Sequence, residues 1–152
     1  MTLSMRLASG DDLPAIVALL ADDENGALRE DASLPLDPGY AAAFAAIAAD
    51  RNQELAVAEL DGRVVGTLQL SYLPGLSYRG AWRGQIEAVR IARALRGRGL
   101  GGEMVGWAVA RGRARGCRLV QLTSQSNRVA AHRFYERLGW TKSHAGFKLK
   151  LD

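Results

Sequence analysis

Between Gln85 and Gly102 the sequence passes from an apolar strand pattern to a basic, glycine-rich turn and then to a helical pattern, a junction that few folds accommodate. In Gln85-Ile86-Glu87-Ala88-Val89-Arg90-Ile91 the apolar positions 86 and 88 are even, whereas 89 and 91 are odd. Strand side chains alternate between two faces, so a slip of one residue sends the later ones to the wrong face unless an extra residue is absorbed. The slip predicts a β-bulge near Ala88 and Val89, which would bend the strand and free backbone groups to bind an extended ligand. Alternatively, Ala88 is small enough to lie on either face.

The turn that follows, Ile91-Ala92-Arg93-Ala94-Leu95-Arg96-Gly97-Arg98-Gly99-Leu100-Gly101-Gly102, stands at the start of a helix. Free N–H groups and the helix dipole converge there on one point, where an anion is stabilised. Glycines let a pyrophosphate approach the backbone, and Arg96 and Arg98 add charge and forked hydrogen bonds. Neither familiar nucleotide loop fits. No Lys-Ser or Lys-Thr follows the glycines, and no strand-borne acid lies about 20 residues on to hold a ribose. A plain structural loop remains the alternative.

The rest of the chain gives an order of elements with no internal repeat or long polar linker. Met1 to Ser9 alternates loosely through Leu3, Met5 and Leu7, as an opening strand would. Asp11-Asp12-Leu13-Pro14 supplies capping residues and a first-turn proline for a helix to about Asp23. A loop to Gly39 precedes an alanine-rich helix over Tyr40 to Asp50. Glu54 to Leu60 and Arg63 to Leu73 are β-rich runs joined at Asp61-Gly62, a two-residue hairpin signal. Leu100, Met104, Trp107, Ala108 and Arg111 mark one face of a helix to about Arg115, and Cys117 to Thr123 reads as a short buried strand. Asn127 to Leu138 is a last helix, ended by Gly139, and Phe147 to Leu151 alternates as a closing strand. Strands interspersed with helices place the chain in the α/β class, as a single domain over residues 1–152.

Composition sets the setting. With 48% hydrophobic and 24% charged residues the chain is a globular protein rather than a disordered one. The longest apolar run, Tyr40 to Ala49, is half the roughly 20 residues of a membrane span, and the N-terminus lacks a signal core, so a cytoplasmic location is expected. Cys117 is the one cysteine and reads as a small core residue; with no cluster of ligating side chains around it, no metal is expected. Residues 1–61 carry 3 basic and 12 acidic side chains and residues 62–152 carry 17 and 4, so the first half is acidic and the second basic. The basic half suits a polyanion, whether nucleic acid, a membrane surface or the phosphates of a cofactor. Arginine provides 17 of the 20 cations beside abundant alanine, so composition alone also accounts for the bias.

Two separate segments carry a resemblance. Arg96-Gly97-Arg98-Gly99-Leu100-Gly101 resembles the Gln/Arg-x-x-Gly-x-Gly/Ala signature of the GCN5-related N-acetyltransferases, at the spacing from its strand that the family uses. Ala131-His132-Arg133-Phe134-Tyr135-Glu136-Arg137-Leu138-Gly139-Trp140 resembles that family's later motif, an alanine followed four residues on by a tyrosine and then by glycine and an aromatic residue. The order of elements agrees over nearly the whole chain. The ending Ala131 to Tyr135, with Ser143-His144 and Phe147-Lys148, is similar to aminoalkylphosphonate acetyltransferases.

The resemblance implies an acyl-CoA N-acyltransferase fold, a central splayed mixed sheet flanked by about four helices, and acetyl-CoA as cosubstrate with an amine acceptor. It implies that the backbone of Val89 and Ile91 meets the pantetheine arm and that Arg96, Gly97, Arg98, Gly99, Leu100, Gly101 and Gly102 meet the phosphates. Asn127 and Phe134 would also border the cofactor. The family often has asparagine three residues before the motif's alanine; that position is Arg128, with Asn127 one earlier. Tyr135 is the expected proton donor to the departing thiolate, since a phenol titrates close enough to a thiol; packing beside Phe134 is the other role open to it. Glu87 is the expected base, an acid interrupting an apolar strand where burial would raise its pKa, working through water; pairing with an arginine is the alternative. His132 and His144 read as surface or packing residues. The acidic half would then attract a cationic amine, entering near Leu28 to Leu36 and Tyr72 to Tyr78, and a homodimer is compatible with the pattern. A noncatalytic acyl-CoA-binding sensor and a nucleic-acid module are the other classes, the second lacking any recognition-helix pattern. Nucleic acid and membrane are not expected partners.

Overall fold

The computed structural model describes residues 2–152, so Met1, the first position of the expected opening strand, lies outside the described residues. The chain divides into two compact units after Gln121. The first holds a five-stranded mixed sheet in the order β1-β2-β3-β4-β5. Its strands are β1 (Ser4–Leu7), β2 (Gln53–Leu60), β3 (Arg63–Leu73), β4 (Arg83–Ile91) and β5 (Leu119–Gln121). Strands β1 to β4 run antiparallel to their neighbours, and β5 lies parallel to β4. The mixed α/β sheet is the expected fold class.

Around it stand α1 (Leu13–Ala21), α2 (Gly26–Arg29), α3 (Pro38–Ala49), α4 (Ser77–Gly80) and α5 (Leu100–Ala114). Two of these are single turns that periodicity cannot reveal. α2 interrupts the loop expected to run to Gly39, and in α4 Tyr78 and Arg79 are left-handed, at φ 55° and 60°. Asp61 and Gly62 both have positive φ, at 52° and 75°, the condition for the tight hairpin turn between β2 and β3.

Part of the core lies between the sheet and α5, and Ile16 and Val17 of α1 are buried as well. Leu68, Leu70 and Tyr72 of β3, Ala56 and Ala58 of β2 and Ile86 of β4 are buried, as are Met104, Val105 and Ala108 of the helix. Gly66 permits the close approach, since a Cβ there would stand 2.7 Å from the Met104 sulfur. The Tyr72 hydroxyl donates to Glu54, whose other partner is Arg111, with Nε at 2.8 Å, and the Arg115 guanidinium lies 3.9 Å over the tyrosine ring. Burial and the Glu54 carboxylate push the Tyr72 phenol up to about 12. Cys117 is half-buried rather than a core residue, and β5 is likewise half-buried and shorter than expected.

The N-terminal strand is tied to the first helix by charge. Arg6 grips Asp12 with two parallel bonds, at 2.7 and 2.9 Å, and the Ser9 N–H donates to the same carboxylate at 2.7 Å. The Arg6 bonds hold the Asp12 carboxyl down to about 2. A carboxyl depressed by folding stabilises the native state above its unfolded pKa, near 4, and loses that contribution as pH falls through the folded value. The Arg6 side chain is 41% exposed, so water screens the pair and roughly 1 kcal/mol is expected. Urea titrations should show the wild type losing about that much more than Asp12→Asn between pH 5 and pH 2; equal losses would show that the pair is energetically silent.

The second unit contains α6 (Val129–Arg137). Gly139, at φ 92°, ends it: the Gly139 N–H donates to the Glu136 carbonyl at 3.0 Å and the Trp140 N–H to the Tyr135 carbonyl at 3.1 Å, a Schellman pair. The expected closing strand over 147–151 is not formed. Phe147, Leu149 and Leu151 are 96%, 86% and 85% exposed, without regular structure. Alternation supplies a face, but a strand also needs a neighbour for its N–H and C=O groups. Among the described residues no strand pairs with this segment.

Candidate functional site

The bulge read from the slipped alternation is present in β4. Arg90 pairs with Thr67 and Glu87 with Gln69, so Ala88 and Val89 together oppose Leu68 of β3. Ala88 takes φ 55°, the left-handed turn that absorbs the extra residue. On the other side β4 pairs with β5 only over residues 83–85. From Ile86 to Ile91 that edge of β4 has no neighbouring strand among the described residues. That edge, which includes Val89 and Ile91, therefore lacks a ladder partner where the bulge lies.

Beyond Ile91 a short 3-10 turn over Arg93–Leu95 leads to exposed residues 96–99. Gly97 and Gly99 are left-handed, at φ 79° and 80°, and a Cβ on either would meet no protein atom within 4 Å. Gly99 is the N-cap of α5, whose first intrahelical bond runs from the Glu103 N–H to the Gly99 carbonyl at 3.3 Å. The N–H groups of Leu100, Gly101 and Gly102 precede that bond and lack helical partners. The Leu100 side chain is buried, so only its backbone is available at the surface. Open space above left-handed glycines at a helix N-terminus fits an anionic group such as a pyrophosphate.

A charge network borders this turn that local patterns could not reveal. Asp22 and Asp23, after α1, meet arginines about 70 positions later. Arg90 pairs with Asp23 at 2.8 Å, Arg93 with Asp22 at 2.9 Å, and Arg96 donates to the Asp22 carbonyl at 3.2 Å. Arg96 also donates to the Ile91 carbonyl at 3.3 Å, and Arg90 to that of Val89 at 3.0 Å. The arginines thus brace the bulged strand and the turn; the charges are visible in the sequence but their pairing is not. Arg98 is exposed.

Glu87 departs from expectation. It is exposed, so the burial invoked to make it a base is absent. A hydrogen-bond chain holds it instead: Gln121 donates to Gln85 at 2.9 Å, and Gln85 to Glu87 at 2.6 Å. Gln69 and Ser71 donate to Gln53 at 3.0 and 2.8 Å in the neighbouring strands. This row of amides across β2 to β5 is a second feature that reading the sequence missed.

In the second unit Tyr135 stands in an aromatic cluster, its ring centroid 4.9 Å from Phe134 and 5.7 Å from Trp140. Asn127 and Arg128 are exposed. His132 Nε2 bonds the Gln125 carbonyl at 2.9 Å and His144 bonds Ser143, both exposed pairs. Among the described residues no three His, Cys, Asp or Glu side chains gather as metal ligands, and no helix is long and apolar enough to cross a membrane.

Residues 16–140 match the acetyltransferase (GNAT) family. The chain is 29% identical over 147 residues to the aminoalkylphosphonate N-acetyltransferase of Salmonella typhimurium, covering 97% of this chain and 90% of that protein. Among solved structures, a transcriptional regulator from Bacillus halodurans is 44% identical, with a TM-score of 0.96 over 99% of this chain and 100% of that one. An acetyltransferase of Trypanosoma brucei is 27% identical, with a TM-score of 0.79 over 99% and 100% of the two chains.

Proposed function

The chain belongs to the acetyltransferase (GNAT) family, and from that premise we propose that it moves the acetyl group of acetyl-CoA directly to a primary amine of a small molecule or peptide. It is an acetyl-CoA-dependent N-acetyltransferase. The observation that carries the proposal is the bulge at Ala88 and Val89, which opens one strand edge and feeds it straight into the glycine turn over 97–102. An extended pantetheine suits the edge of Val89 and Ile91; the diphosphate suits Arg96, Gly97, Arg98, Gly99, Leu100, Gly101 and Gly102. Asn127 and Phe134 are proposed cofactor neighbours from the family motif. The reading takes residues 1–152 as one catalytic domain, cytoplasmic and able to act as a homodimer, with neither nucleic acid nor membrane as a partner.

In the proposed reaction the lone pair of a neutral amine attacks the thioester carbon. As the C–S bond breaks, the Tyr135 hydroxyl gives its proton to the thiolate and recovers one from solvent. The proton lost by the new amide nitrogen passes through water to Glu87. That Glu87 is exposed and accepts a hydrogen bond from Gln85 supports such a relay. The Salmonella relative's name puts aminoalkylphosphonates among the first acceptors to try.

Acetyl-CoA should raise the melting temperature, because a ligand bound only by the folded chain stabilises it by mass action, to the extent of about 2.7 kcal/mol at a hundredfold excess over Kd. NADH and ATP should do much less, and equal shifts from all three would reduce the turn to a general anion site. A second reading, a noncatalytic acyl-CoA sensor, is favoured by the likeness to a transcriptional regulator. Release of free CoA across a panel of amines separates the two: binding of acetyl-CoA with no turnover of any amine would sustain the sensor.

A further inference from the structure

The amide row carries information about the acceptor. Gln53, Ser71, Gln85 and Gln121 stand at successive paired positions across four strands, with Gln69 paired to Glu87 beside them. One chain of bonds has a fixed direction. A carboxylate only accepts, so Gln85 must turn its NH2 toward Glu87 and its carbonyl toward Gln121, whose NH2 donates. The second group joins Gln69 and Ser71 to the Gln53 carbonyl. Gln85 uses both ends of its amide, whereas Gln53, Gln69 and Gln121 each use one. What is left over is the Gln53 NH2 group as donor and the Gln69 and Gln121 carbonyls as acceptors, all on half-buried side chains.

Resting on the acetyltransferase reading, we propose that this row binds the acceptor, and that the acceptor is a primary amine bearing hydroxyl groups close to the nitrogen. A hydroxyl donates and accepts at once, so it matches a surface presenting both kinds of group. A phosphonate or carboxylate only accepts; it would leave the Gln69 and Gln121 carbonyls unanswered and be repelled by Glu87. An ammonium arriving beside Glu87 is favoured by the same charge. Arg83 lies further along β4, and its Nε finds no hydrogen-bond partner among the described residues. A cation with an unpartnered buried donor is the group that an anionic end would seek, so Arg83 is the control for that case.

The test compares amino alcohols and amino sugars with the corresponding alkylamines and with aminoalkylphosphonates, by CoA release and by amine-induced thermal shift in the presence of CoA. Hydroxyl-bearing amines should exceed their alkylamine counterparts by roughly tenfold or more in kcat/KM, mostly through KM, as expected when groups built to pair are left unpaired. Gln69→Leu should lower kcat/KM for hydroxyl-bearing amines by roughly tenfold, mostly through KM, and that for alkylamines by much less, so that the preference is erased; a merely structural defect would depress both alike. The inference is overturned if alkylamines do as well, or if aminoalkylphosphonates are preferred and Arg83→Gln, not Gln69→Leu, removes the preference. If hydroxyl-bearing amines shift the melting temperature without turnover, the row stands and the enzymatic reading falls. If no amine binds, both fall.

Discussion

Gly99→Val is expected to abolish acetyl-CoA binding while leaving the fold standing. The residue sits at φ 80°, where a β-branched side chain is strained by about 1–2 kcal/mol, and that cost arises whether or not a ligand is present. Within the protein the new side chain meets nothing, since no atom lies within 4 Å of the Cβ position. Its branches instead fill the space that the proposed phosphates would occupy. Strain and occlusion can be separated with Gly116→Val. Gly116 has φ 81° and the same open surroundings, but follows the C-terminal end of α5, roughly 22 Å from Gly99 along a 15-residue helix. Both variants should melt a few degrees lower, and only Gly99→Val should lose the thermal shift and calorimetric signal of acetyl-CoA. Retained affinity in Gly99→Val would remove the turn from the site, and loss in both would make strain the cause.

What the sequence disclosed and what it hid divide along a physical line. The slipped alternation at Ala88 and Val89, the hairpin at Asp61 and Gly62 and the stop at Gly139 are records of backbone dihedrals, and dihedrals are local. Each was legible because a single residue's φ, or the parity of a short strand, decides it. Exposure is not local. Glu87 interrupts an apolar strand, which suggested burial, yet what covers a strand face is set by elements far away in the chain, and nothing in Ile86 to Ile91 states it. The same limit hid the pairing of Asp22 and Asp23 with Arg90, Arg93 and Arg96, and the alignment of Gln53, Gln85 and Gln121 across three different strands. Phe147 to Leu151 failed for the complementary reason: its pattern is a good strand pattern, but pairing requires a second strand that the pattern cannot supply. The proposed cofactor turn was more legible than the proposed acceptor surface for this reason, since a glycine turn is a local device and a row of side chains across four strands is an assembled one.

Tyr135→Phe is the second large effect, and it isolates one atom. The ring of Tyr135 packs between Phe134 and Trp140, at 4.9 and 5.7 Å, and phenylalanine keeps both contacts. The aromatic packing is therefore retained, and acetyl-CoA affinity should hardly change. If the hydroxyl protonates the departing thiolate, turnover should fall by roughly 10²- to 10⁴-fold, the usual contribution of a positioned general acid. The loss should appear equally in kcat and kcat/KM, because the bond is made only in the transition state. A thioester with a better leaving group needs less help from an acid, so replacing acetyl-CoA with an acetyl thioester of lower thiol pKa should narrow the gap between the variant and the wild type. A loss confined to KM would mean that the hydroxyl binds ground and transition states alike. An unchanged kcat, with chemistry shown by single-turnover measurement to limit the rate, would leave protonation of the thiolate to solvent and return Tyr135 to a purely packing role.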